Sequence, residues 1–150
     1  MTLDASGGFG SRWLELTKGE CFELLAGQHL GRLAFVDELG PIVLPVNFVL
    51  DAHMVVIRTD EGTKLDIASH GGRVAFEVDQ IDAVTGSAWS VLIRGEAIEV
   101  TDGLELARLS TLPLHPLAPG QKSHYVRILP ALVTGRRITA AGQPGRDRSD

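Results

Sequence analysis

Along the chain, short apolar runs rich in Val, Ile and Leu alternate with clusters of turn-forming residues. Strand-like runs are "HLGRLAFV" from His29, "PIVLPVNFVL" from Pro41, "HMVVIRT" from His53, "RVAFEVDQID" from Arg73, "WSVLIRGEAIEV" from Trp89 and "HYVRILPALVTGRRI" from His124. Asp37-Glu38-Leu39-Gly40, Asp51-Ala52 and Thr85-Gly86-Ser87 punctuate them as turns. Connections this short favour antiparallel neighbours, because parallel pairing needs a long crossover. The pattern therefore predicts a mainly β protein, an antiparallel β-barrel, closed or nearly closed, with flanking helices.

Three stretches have helical spacing instead. Thr17 followed by Glu20 forms a capping box ahead of Cys21, Leu24 and Leu25, and this helix ends near Gly27. A brief helix is expected over Lys64 to Ser69, with Leu65 and Ala68 on its apolar side. Asp102 is placed to cap "DGLELARLSTL", in which Leu104, Leu106, Ala107 and Leu109 lie on or beside one face. Residues 1–16 and 140–150, rich in Gly and polar types, are expected to be a flexible N-terminal segment and a disordered C-terminal tail, leaving 17–139 as the folded domain.

Composition narrows the chemistry. At 150 residues one domain is expected, and the 44% apolar content is enough for a core. The apolar runs fall short of the roughly 20 residues that cross a bilayer, and the N-terminus lacks the order of a secretory signal, so no membrane association and a cytoplasmic location are expected. A net charge of −5, with acids spread along the chain, gives no footprint for nucleic acid. Cys21 is the only cysteine, which excludes an internal disulfide; lying on a predicted helix face, it is expected in the core. The five histidines show no HExxH spacing, and no metal centre is expected.

A small anionic ligand is compatible with that charge, and "RTDEGTKL" offers a place for one. Arg58 and Thr59 end a strand, Asp60-Glu61-Gly62 turns, and Thr63 stands as N-cap of the Lys64 helix with Asp66 three residues on. Two readings are open: Arg58 and Lys64 pair with the neighbouring acids, or the turn holds a phosphate between an arginine fork, a lysine and helix N–H groups. One strand earlier, Pro45 marks an edge or a bulge. Asn47 beside it carries an amide into apolar surroundings, where it either caps a turn or meets the polar edge of a planar ring.

The residues "GRLAFV", "PVNFVLD", "VVIRTDEGTKL", "RVAFEVDQID", "GSAWSVLIRGEAIEV" and "VTGRRI" together resemble the pyridoxamine 5′-phosphate oxidase-like flavoproteins, in their short actinobacterial-type branch. The likeness runs in order over about Gly19 to Ile138. It implies an FMN-binding split barrel and a homodimer with FMN in a groove at the subunit interface. On the matching positions, Arg58, Thr59 and Lys64 fall at the phosphate, and Thr63 and Leu65 beside Lys64 are further cofactor-binding candidates. Pro45, Val46 and Asn47 lie along the isoalloxazine ring, and Trp89 and Ser90 border the flavin from the neighbouring chain. Trp89 alternates with Val91 and Ile93, so core or dimer packing is an equal reading of it. The loop Pro113 to Ser123 corresponds to a region that covers the ring in relatives, but Leu117 stands where an aromatic residue is expected, leaving His115 and His124 as its polar candidates.

The resulting expectation is an FMN-dependent oxidoreductase, flavin reductase-like, acting on a small-molecule redox substrate. A second cationic cluster to grip a substrate phosphate is absent, which disfavours pyridoxamine phosphate oxidation itself. The alternatives are the deazaflavin F420 in the same groove, with Arg136 and Arg137 as the adjacent cations, or a non-catalytic flavin- or haem-binding protein with His115 or His124 as axial ligand.

Overall fold

The computed structural model describes residues 12–62, 66, 72–114 and 124–139. In chain order they form β1 (Arg12–Glu15), α1 (Lys18–Ala26), β2 (Leu30–Asp37), β3 (Gly40–Asn47), β4 (Val49–Asp51), β5 (Met54–Thr59), β6 (Arg73–Ile81), β7 (Ala88–Val100), α2 (Gly103–Leu109) and β8 (His124–Thr139). The strands make one antiparallel sheet in the order β3-β2-β6-β7-β8-β5-β4, with β1 added along the end of β8. This curled sheet is the expected split barrel.

Closure comes from the run read as one strand from Pro41. It breaks at Phe48 into β3, at one end of the sheet path, and β4, at the other. Pro45 accordingly lies on a terminal strand, where its missing N–H costs no ladder bond. Phe48 turns inward, 1% exposed, and meets the Phe76 ring edge to face at 4.9 Å. Gly31, paired with Val46, makes room for Phe76; a Cβ there would collide with its ring.

Side chains alternate regularly. Leu33, Phe35, Val46, Val55, Ile57, Val74, Phe76, Val91, Ile93, Val126 and Ile128 fill the interior, and Cys21, Phe22 and Leu25 of α1 complete the same core. Helix α1 has its capping box, with Glu20 N–H donating to Thr17 Oγ1 and Thr17 N–H donating to Glu20 Oε1, both at 3.2 Å. Cys21 is fully buried, as expected, and burial pushes its thiol pKa up. A second cluster, Val56, Val100, Leu109, Leu114 and Tyr125, lies outside the barrel under α2.

Some details differ from the sequence pattern. Strand β1 falls within the 1–16 segment expected to be flexible; its four residues are exposed and carry no alternation, so only the ladder to Arg136–Thr139 defines it. Leu104 is 83% exposed, so Leu109, with Leu106 partly buried beside it, docks α2 rather than the whole predicted face. Pro130 sits mid-strand in β8, where the register shifts opposite Arg94 and Gly95; this bulge accommodates a residue that cannot donate. Asp66 is helical and its N–H donates to the Gly62 carbonyl at 2.9 Å; the remainder of the predicted Lys64–Ser69 helix lies outside the described residues. Among the described residues no helix is long and apolar enough to cross a membrane.

On the outer face Arg32 of β2 reaches Glu77 and Asp79 of β6 at only 3.6 and 3.9 Å. Burial, then the neighbouring Asp79, push the Glu77 pKa from 4.5 up to about 7. Between those values the folded state holds a proton that the unfolded chain has released, so stability falls as pH rises through this window and stays lowered above it.

Two outcomes follow for stability. Gly31→Val should destabilise the barrel by roughly 1 to 3 kcal/mol, because the added methyls force the Phe76 ring to move; Phe76→Leu in that background should recover part of the loss, read from urea midpoints at constant m-value. Glu77→Gln should raise the melting temperature at about pH 8 and leave it nearly unchanged at about pH 4. Equal shifts at both pH values would contradict the cause given for the raised pKa.

Candidate functional site

The β4–β5 ladder begins at Val49 opposite Val56; its register carried back past Phe48 points Asn47 toward Arg58, on the side where β3 contacts β5. Across the other edge of β5, Arg58 pairs with Tyr125, which pairs with Val100 of β7. Asn47, Arg58, Tyr125 and Val100 therefore form a row on the outer face, alternating with inward Phe48, Ile57 and Val126. Pro45, exposed, stands at the same face two residues before Asn47. Among the described residues, the edge of β3 away from β2 has no strand paired to it in the ladder.

Within this row the Arg58 guanidinium lies over the Tyr125 ring, 5.6 Å from its centroid. Arg58 is half-buried, and Tyr125, 6% exposed, is embedded in the cluster under α2. Thr59, the next residue, points the other way. It is 2% exposed, its hydroxyl donates to the Asp60 carbonyl at 3.2 Å, and it lines an interior cavity of about 10 Å³ with Leu33, Phe35 and Ile57. That space admits one water at most, so this cavity does not hold a larger ligand. His124 is level with Thr59, and its Nδ1 lies 3.0 Å from Glu99 Oε1.

The remaining predicted residues divide. Val46 is a core side chain, so only its main chain is offered outward. Trp89 packs partly against the barrel core beside Val91 and Ile93, and half-buried Ser90 has the opposite parity. They lie level with Arg137 and Arg136 of β8, near β1, where Arg136 sits over the Trp13 ring at 5.6 Å. From Ser90 to Val100, in the Arg58 row, is ten residues of strand, roughly 33 Å. A single chain thus brings Asn47 and Arg58 together and keeps Trp89 and Ser90 at the far end of β7. Thr63, Lys64 and Leu65, like His115 and the 115–123 part of the loop, lie outside the described residues.

Beside the row, an ion network missed by the sequence reading anchors α2. Arg108 donates to both Asp51 oxygens at 2.8 and 2.7 Å and to Glu105 at 2.8 Å, and Arg127 donates to Glu105 at 2.8 Å. Hydrogen bonds from Arg108, then Arg127, push the Glu105 pKa down to about 2, and Arg108 likewise holds Asp51 below its ordinary value. These partners come from β4, α2 and β8, so no local spacing reveals them. Tyr125 escaped notice for the same reason, since strand register alone sets it under Arg58.

Chemically the row offers a cation on an aromatic platform, an amide, and an edge of main-chain donors and acceptors. This set suits an acidic group joined to a flat polar ring. Among the described residues no group of His, Cys, Asp and Glu could hold a metal ion.

Comparison with known proteins agrees with the barrel. The family model described as pyridoxamine 5′-phosphate oxidase matches residues 17–137. The uncharacterized protein Rv0080 of Mycobacterium tuberculosis is 36% identical over 132 residues, 85% of this chain and 86% of its own. A Corynebacterium glutamicum structure described as a candidate pyridoxamine 5′-phosphate oxidase superposes with TM-score 0.76 at 38% identity, over 85% of this chain and 99% of that one. The FAD binding protein of Mycobacterium smegmatis gives TM-score 0.69 at 36% identity, over 83% and 97%. With its split barrel and a family match spanning most of its length, the chain belongs to the pyridoxamine 5′-phosphate oxidase-like family.

Proposed function

We propose that the protein is a flavin-dependent oxidoreductase, holding FMN on the outer face of the barrel at the interface of a homodimer. The observation that carries this reading is Arg58 held over the Tyr125 ring on the outer face, at the side where the β3 end that carries Asn47 meets β5. Arg58 would bind the phosphate, with Thr63 and Lys64 of the following segment as the further candidates at that end. The β3 main chain near Pro45 and Val46, with the Asn47 amide, would meet the polar edge of the ring. When bound, the flavin supplies hydride and electron transfer, while the chain orients it and limits water access.

The position of Trp89 and Ser90 supports the dimer. They are far from Arg58 within one chain, so they can border the same flavin only from a second copy. Exposed Trp13, Leu14, Ile81 and Leu132 provide apolar surface for such pairing. A 36% identical relative is named for binding FAD, which makes the dinucleotide a second candidate that shares the same phosphate position. F420 remains the alternative in which the Arg136 and Arg137 end becomes important, because its longer acidic tail needs further cations.

Titration of the cofactor-free protein with FMN, FAD, F420, haem and riboflavin separates these readings. FMN should saturate at about one per chain and should be released as the dimer dissociates on dilution. Arg58→Ala should weaken FMN roughly tenfold or more and leave riboflavin, which lacks the phosphate, nearly unchanged. Equal losses for both ligands would remove Arg58 from the phosphate site, and binding of F420 or haem alone would replace the proposed cofactor.

A further inference from the structure

We infer that Tyr125 is the positioning residue of the anion site, holding the Arg58 guanidinium outward over its ring so that the fork is already oriented when a phosphate arrives. The inference rests on the flavin-phosphate reading and assigns to that site a residue outside the "RTDEGTKL" turn. Three observations converge on it. The guanidinium lies 5.6 Å from the ring centroid, a separation at which the ring quadrupole attracts a cation. The two residues are direct cross-strand partners, so ladder bonds between β5 and β8 fix their separation. The ring itself cannot turn away, because it is 6% exposed within the Val56, Val100, Leu109 and Leu114 cluster under α2.

Arginine loses considerable rotamer freedom when it binds an anion in a forked geometry. A ring beneath the guanidinium removes part of that freedom beforehand. The α2 network contributes indirectly: Arg108 ties α2 to Asp51 of β4, and α2 brings Leu109 against the cluster that contains Tyr125. Tyr125 touches Arg58 rather than the ligand, so its removal should affect phosphate recognition and spare ring recognition.

The test compares FMN with riboflavin on the intact protein and reads the ratio of their dissociation constants. Tyr125→Phe should keep the wild-type ratio, because the ring remains. Tyr125→Leu should reduce the preference for FMN roughly 3- to 30-fold with riboflavin binding unchanged, and should cause no further reduction in an Arg58→Ala background. Ring-fluorinated phenylalanines at Tyr125 preserve the shape should leucine fail to fold, and the preference should decline stepwise as fluorination weakens the quadrupole. A wild-type ratio in Tyr125→Leu, or a flat fluorination series, would overturn the role of Tyr125 while leaving the phosphate site intact. A wild type with no preference for FMN over riboflavin would overturn the phosphate site itself, and the proposal with it.

Discussion

Everything in this barrel depends on the closure at Phe48. Strands β3 and β4 occupy opposite ends of the sheet path yet are separated in sequence by that one residue, so the sheet must curl until its two ends meet. The Phe48 ring is driven inward against Phe76, and an edge-to-face pair of this kind contributes about 0.5 to 1.5 kcal/mol beyond the area it buries. Its main-chain N–H still donates to the His29 carbonyl at 2.9 Å, so the break leaves no orphaned donor. Gly31 completes the arrangement by giving Phe76 the space of a missing side chain. The same closure places β3 against β5, and with that the Asn47 and Arg58 positions become neighbours.

The outer face then has to be held to the barrel without a core of its own. Apolar contact under α2 does most of this, through Leu109, Leu114, Val56 and Val100 around Tyr125. The Asp51, Arg108, Glu105 and Arg127 network adds less, because exposed ion pairs contribute little individually, although a bidentate fork with shared partners is the favourable case. Its value lies in registration: four charges from three elements admit few alternative positions for the helix. Among the described residues Arg127 Nε is buried without a hydrogen bond, a local cost set against the bond from its Nη2 to Glu105.

Local signals explain how much of this was legible in the sequence. Strand runs, the Thr17 capping box, the Gly27 helix end and the Asp102 cap are encoded within a few residues, and each appears where its chemistry requires. Strand β1 and the break at Phe48 were not legible: the first is exposed on every residue, and the second lies inside an unbroken apolar run. The site divides along the same line. Arg58, Asn47 and Pro45 stood out as polar or proline positions in apolar strands, whereas Tyr125 reads as one more strand aromatic until the register puts it beneath Arg58. Thr59 shows the limit from the other side, since adjacency to Arg58 in sequence places it on the opposite face.

That alternation makes the site a property of register. A slip of β5 by one residue would carry Arg58 into the barrel, where an unpaired charge is costly, and would turn Thr59 outward. The hairpin between β4 and β5 opposes such a slip. Its two-residue loop, Ala52-His53, adopts positive φ at both positions, 48° and 62°, although neither residue is glycine, asparagine or aspartate. Left-handed backbone of this kind costs about 1 to 2 kcal/mol per residue, so surrounding contacts must hold it. The stacking of His53 on Phe22 of α1, 4.5 Å between ring centroids and 10° between planes, is one such contact, and the Asp51 fork to Arg108 fixes the strand end just before the loop. Helices on two sides of the barrel thus secure one tight turn, and the register it sets is what presents Arg58 on the outer face, level with Asn47 and over Tyr125.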